Sequence, residues 1–222
     1  LQGTRPATTH GRIVQRQPYE RRRPMTMNIE QLKEHKMQYY RHPISNVVSH
    51  NRVGIYHLWQ YITDPTLFKN ATDTLRGIPE EEEKRRKAYK AKEFDYVLAS
   101  GTFNARKDQG LIQHSGIMCL DIDHIGKDQV EELKQEFIHD EMMQKNFELE
   151  LAFRSPSGDG LKLFVQIDLQ QCDHQNWFLA LEHYIWQAYG GIKIDAACKN
   201  VSRACFLPYD PNCYVNPLIC PF

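Results

Sequence analysis

From Phe94 onward the apolar residues fall into short runs divided by turn residues. "FDYVLA" (94–99) and "GIMCLDID" (116–123) predict strands, with "SGTFNARKDQG" (100–110) as a loop between them. "KDQVEELKQEFIHD" (127–140) sets Val130, Leu133, Phe137 and Ile138 on one helical face, with Asp128 as its N-cap. "FELELAFR" (147–154) alternates as a strand does, "SPSGDG" (155–160) is a turn, and "LKLFVQID" (161–168) is a further strand. A helix follows from Asp173 to about Tyr189, with Trp177, Leu181, Tyr184, Ile185 and Ala188 on its apolar face. "GGIKID" (190–195) reads as a turn into a short strand, and "VSRACFLPYD" (201–210) as the last strand before a Pro-rich end.

The first part of the chain is less regular. Residues 28–42 predict a helix, and "VGIYHLWQYI" (53–62) fits a strand or a helix equally. "ATDTLRGIPEEEEKRRKAYKAKEF" (71–94) places acids ahead of bases, so i,i+4 pairs support a solvated helix with an exposed charged face. Residues 1–27 hold six arginines and one acid, Glu20, without apolar periodicity. They read as a disordered basic arm or an appended, non-native leader.

The order β, α, β, β, α, β from residue 116 is that of an RRM-like or ferredoxin-like α+β core. The expected organisation is therefore a basic arm over 1–27 and one domain over 28–222. Within that domain an N-terminal α/β extension (about 28–93) precedes the core (about 94–217).

Composition narrows the class. A chain of 222 residues, 41% hydrophobic, can bury a real core. No stretch approaches the ~18 consecutive apolar residues of a membrane span, and no secretory signal pattern opens it. Six cysteines without a CxxC pair predict reduced thiols in a cytoplasmic protein. Cys205, Cys213 and Cys220 cluster too loosely for a usual zinc site and read as idle thiols. With 28 basic and 28 acidic residues, net charge is neutral on nucleic-acid binding.

Three motifs carry candidate chemistry. Asp121 and Asp123 sit two apart at the end of a strand and so project to one face. Two carboxylates there repel unless a cation lies between them, and Mg2+ or Mn2+ takes such oxygen ligands. The bland alternative is a capping Asp123 and a surface Asp121. "SPSGDGLK" (155–162) is a Gly-rich turn with a lysine just inside the next strand, a phosphate cradle or an ordinary hairpin; it is not a Walker A loop. "KIDAACKNVSRACFLPYDPN" (193–212) supplies a third carboxylate, Asp195, and an arginine among apolar residues, Arg203, which could clamp a phosphate or pair with that aspartate.

"LDID", "SPSGDGLK" and "KID" with "SRACFLPYDPN" together resemble the three-motif arrangement of the archaeo-eukaryotic primase (PrimPol) superfamily. The likeness is greatest to the primase-like N-terminal domain that precedes virulence-associated-E-type helicases on bacterial mobile elements, where "SGTF" (100–103) also recurs. It covers roughly residues 90–217. Many primases end the second motif in histidine where this chain has Lys162, and the cysteines do not match the superfamily's zinc stem. The resemblance implies a metal-dependent, template-directed nucleotidyltransferase, a DNA primase or polymerase, in replication of a mobile element or phage. It implies metal held by Asp121, Asp123 and Asp195. Nucleotide would be bound through Ser155, the amides around Gly158 and Gly160, Lys162 and Arg203. It also implies a single-stranded DNA template, NTP or dNTP as substrate, and a helicase downstream, in keeping with the apolar end "LICPF" of a domain cut from a longer protein. Two other readings stay open: a catalytically idle single-stranded nucleic-acid-binding module, and another metal-dependent phosphoryl-transfer enzyme.

Overall fold

The computed structural model describes residues 36–219. The basic arm, residues 28–35 of the expected first helix and Cys220 lie outside the described residues.

Strand β1 (Met37–Tyr40) occupies the end of the expected 28–42 helix. Its two tyrosines favour a strand, and Pro43, lacking an N–H, closes off any helix running through it. Strand β2 (Asn51–Val53) leads into α1 (Ile55–Thr63), which resolves the ambiguous 53–62 stretch as a helix burying Ile55, Leu58 and Ile62. The charged run is two elements. Helix α2 (Pro65–Gly77) ends where Gly77 and Pro79 interrupt the pattern, and α3 (Glu83–Glu93) follows.

Next come β3 (Tyr96–Leu98), a hairpin of β4 (Gly101–Phe103) and β5 (Leu111–His114), and β6 (Ile117–Ile122). The expected loop at 100–110 thus contains β4. Helix α4 (Val130–His139) starts from Gln129 with no side-chain cap, so Asp128 does not cap it, and α5 (Glu141–Lys145) is capped by Asp140. Then follow β7 (Leu149–Arg154), β8 (Leu161–Gln166) and α6 (His174–Ala188), which is capped by Asp173. Helix α6 buries Phe178, Leu181 and Ile185, with Trp177 and Tyr184 half-buried beside them and Ala188 exposed. Residues 192–195 form no strand. They run into a 3-10 turn (Ala196–Lys199), then β9 (Ala204–Phe206) and β10 (Tyr214–Val215).

The strands build antiparallel sheets in the orders β2-β1-β3-β9 and β10-β7-β8-β6. Strands β6 and β7 flank β8, with α4 crossing between them, which is the split βαβ expected from the sequence. The fourth strand departs from the ferredoxin-like order. Strand β9 pairs with β3 in the other sheet, and the free edge of β6 is met instead by the 192–195 segment, tied by Asp195 N–H to the carbonyl of Asp121 at 2.8 Å.

The sheet bearing β6 is covered on both sides. Met118, Leu120 and Ile122 pack with α4 and α6, together with Leu161, Leu163 and Val165 of β8. Ile117 and Cys119 pack toward the other sheet with Met37, Val97, Phe164 and Cys205. The period-2 alternation of a strand therefore turns Asp121 toward the space between the sheets. Among the described residues no helix is long and apolar enough to cross a membrane.

Candidate metal and phosphate site

Asp121 lies on β6 directly opposite Lys162 of β8, and cross-strand partners face the same side. Both are nearly buried, at 6% and 7% exposure, and the Lys162 ammonium is ion-paired with Asp121 Oδ1. Asp123, just past the strand, shares this face and is exposed. Asp195 arrives from the far side of β6, held there by its backbone bond to Asp121. Its Oδ1 caps the following 3-10 turn by accepting from Ala197 N–H at 2.9 Å. One carboxylate oxygen from each of Asp121, Asp123 and Asp195 lies within 4.8 Å of the others. That set of hard oxygen donors suits a hard divalent cation.

Arg203, just before β9, donates to Asp195 Oδ2 at 2.5 Å and to Asp121 Oδ2 at 3.3 Å. Two cations therefore face three carboxylates, leaving one negative charge in excess. Burial pushes the Asp121 carboxyl up, but Lys162 and Arg203 outweigh it and hold the group below its ordinary value. Asp123 goes the other way. Loss of water raises it, Lys162 pulls it back, and the Asp121 carboxylate adds to the rise. Asp123 has no hydrogen bond or ion pair among the described residues, so it is the acid of the cluster most in need of a cation.

The "SPSGDG" turn joins β7 to β8 beside this cluster. Gly160 packs so closely on the end of β6 that an added Cβ would lie 2.6 Å from Ile122 O, 3.2 Å from Asp123 Oδ1 and 3.2 Å from Ser155 Oγ. Gly158 has a left-handed backbone (φ +87°) that only glycine adopts without strain. The two glycine amides are already used inside the turn: Gly158 N–H donates to Ser155 O at 3.0 Å and Gly160 N–H to Ser155 Oγ at 3.1 Å. In this geometry they are not free to cradle a phosphate, and Ser155, 2% exposed, holds the loop together.

Several residues of the site escape a reading of the sequence. Arg76 of α2 donates to Ser155 O and Pro156 O, Arg86 of α3 to Ser157 O, and Arg154 to Gly158 O, so three guanidinium groups pin the loop's carbonyls. Arg86 belongs to the charged run expected to be merely solvated. Asp210, 5% exposed, accepts from Arg154 N–H at 2.8 Å and fixes the loop's entry. Beneath Asp210, the fully buried Lys134 donates to Asn212 O at 2.6 Å and pairs with Glu131 at 2.9 Å. The turn after Asp195 is braced by an imidazole pair: His114 Nε2 lies 3.1 Å from His174 Nδ1, and His174 Nε2 lies 3.3 Å from Cys198 O. Burial and the neighbouring His174 depress His114 to about 4. No local spacing signals any of these contacts.

Beside Arg203 a polar hollow of about 320 Å3 opens to solvent, lined by Arg106, Asn200, Ser202 and Arg203 among others. The described cysteines are free thiols, and Cys205 and Cys213 are buried.

No curated protein and no solved structure matches the chain. A family model described as BT4734-like, N-terminal domain, matches residues 89–215. That span takes in β6, the "SPSGDG" loop, Asp195 and Arg203, and it is more than half of the sequence. The chain belongs to the BT4734-like N-terminal domain family.

Proposed function

We propose that this domain is a metal-dependent, template-directed nucleotidyltransferase, a DNA primase, a polymerase or both, serving replication of a mobile element or phage. The observation that carries the reading is the convergence of Asp121, Asp123 and Asp195 on one spot with Lys162 and Arg203. The three-motif resemblance to PrimPol proteins supports it from the sequence side. Asp121, Asp123 and Asp195 would hold Mg2+ or Mn2+, which would supply Lewis-acid activation of the attacking hydroxyl and neutralise charge at the leaving pyrophosphate.

The protein's own part is positioning and electrostatics. Lys162 and Arg203, now paired with Asp121 and Asp195, would turn to triphosphate oxygens when nucleotide binds. The braced "SPSGDG" loop keeps Lys162 and the Asp123 end of β6 in register. The hollow beside Arg203 gives the nucleotide an open approach. The 3′-hydroxyl oxygen bonds to the α-phosphorus and gives up its proton to solvent water, as the bond to the bridging oxygen breaks and pyrophosphate departs.

One observation favours a second reading. The ion pairs of Asp121 and Asp195 with Lys162 and Arg203 also serve as a purely structural charge cluster in a non-catalytic nucleic-acid-binding module. An extension assay separates the two. It uses primed and unprimed single-stranded templates, Mg2+ or Mn2+, and labelled dNTPs and NTPs, with Asp121→Ala/Asp123→Ala as the control. Template-dependent products from the wild type alone support nucleotidyl transfer. No product under any condition, with single-strand binding intact in both proteins, sinks it in favour of the binding module.

A further inference from the structure

We propose that Lys90, on α3, is a further phosphate-contacting residue of the site, reaching the triphosphate of the incoming nucleotide. The assignment rests on the nucleotidyl-transfer reading and names a substrate contact that its motifs do not contain.

Lys90 stands one helical turn after Arg86, so the two share a face. Arg86 donates to Ser157 O of the loop at 3.2 Å and to Ile78 O at 2.6 Å, which turns that face toward "SPSGDG". The Lys90 ammonium lies 6.0 Å from the centre of the Phe206 ring, on the strand that follows Arg203. It thereby stands on the face of α3 that meets both the loop and β9. Burial and the nearby Lys162 lower its pKa, while Asp123, Asp121 and Asp159 oppose that lowering, so it lies within electrostatic reach of the site's charges.

The cations around it are committed. Lys162 is held by Asp121, Arg203 by Asp195 and Asp121, and Arg76, Arg86 and Arg154 by loop carbonyls. Lys90 has no hydrogen bond or ion pair among the described residues. Its ammonium lies within electrostatic reach of Asp121, Asp123 and Asp159, yet its three N–H donors bond to none of them. A lysine serving only the fold would gain from a carboxylate partner. One serving an arriving phosphate needs its donors uncommitted.

The test is equilibrium binding of an α,β-imido nucleoside triphosphate and of the matching monophosphate, with Mg2+, to the full chain. Wild type is compared with Lys90→Ala, Lys90→Arg, Asp121→Asn/Asp123→Asn and Lys92→Ala, the last an exposed lysine of α3 paired with Glu93. Loss of one charge-assisted contact predicts triphosphate binding weaker by about 10- to 100-fold in Lys90→Ala. Lys90→Arg should restore part of it, Lys92→Ala should bind as wild type, and the monophosphate should be little affected. Unfolding temperatures for the Lys90 variants equal to wild type exclude a folding defect. Unchanged triphosphate affinity in Lys90→Ala, with loss in the double aspartate variant, overturns the assignment and leaves the nucleotidyl-transfer reading standing. A wild type that binds no triphosphate overturns both.

Discussion

Replacing Glu150 by glutamine removes one proton-binding group from the core and little else. Glu150 sits where the register of β7 against β8 shifts, between Leu149 and Leu151, and is 1% exposed. Among the described residues its carboxyl has no oppositely charged partner. Burial, and then the charge of Glu148, push it up to about 8 from an ordinary 4.5, against a hydrogen bond from the Asn216 side chain. The folded protein therefore keeps a proton that the unfolded chain has already released above pH 4.5. The native state binds more protons across this window, so stability is full below about 4.5 and falls as pH rises toward about 8. At ~1.36 kcal/mol per pH unit the whole loss is bounded at about 5 kcal/mol, with about 3 kcal/mol already gone at pH 7. Glutamine keeps the shape and does not titrate. Urea denaturation of both proteins at pH 5, 6, 7 and 8 should give near-equal stabilities at pH 5. At pH 8 the variant should lead by several kcal/mol. A difference that stays flat with pH, or a variant that is weaker at pH 8, would refute the claim that Glu150 is buried in its neutral form.

Gly160→Ala should cost about 1–3 kcal/mol of stability, because the new methyl meets the Ile122 carbonyl, a backbone atom that cannot swing away. Extension activity should fall by more, about 100-fold, as the loop is pushed off the Asp123 end of β6; activity equal to wild type would show that this contact does not set the site. Lys134→Met should destabilise the domain by about 3–5 kcal/mol in denaturant titrations by leaving the buried Asp210 without its ammonium. Adding Asp210→Asn should recover part of that loss, and no recovery would mean that Lys134 acts through Asn212 and Glu131 alone.

What could be read from the chain is what depends on neighbours in sequence. The apolar stretches of β6, β7 and β8, the helix beginning at about Asp173 and the tight turn at 155–160 follow from local patterning, and the structure contains each. Partners distant in sequence were not legible. Nothing within "VSRACFLPYD" says that Ala204–Phe206 will pair with Tyr96–Leu98 rather than complete the sheet beside β6. Nothing in "EEEEKRRKAYKAKEF" distinguishes Arg86 and Lys90, turned toward the loop and β9, from Lys87, which pairs with Glu83 on the solvent side. A charged helix reads as solvated whichever side meets the fold, because its own sequence carries no apolar stripe to mark the inner face.

The candidate site was nonetheless legible further than its contacts were, because the core fixes its geometry. Leu161, Leu163 and Val165 must face α4 and α6, and so must Met118, Leu120 and Ile122. With both strands so oriented, Lys162 and Asp121 are forced to the opposite face, and the register sets them side by side. A slip of one residue between β6 and β8 would turn the leucines out of the core as it turned Lys162 away from Asp121. The free energy that holds the two charges together at a nearly buried position is therefore largely hydrophobic burial on the far side of the sheet. The aspartate pair of "LDID" can be aimed at one spot by a strand that is otherwise wholly apolar because both faces of β6 are packed along its length, by Met118, Leu120 and Ile122 on one side and Ile117 and Cys119 on the other, and only its end carries the chemistry.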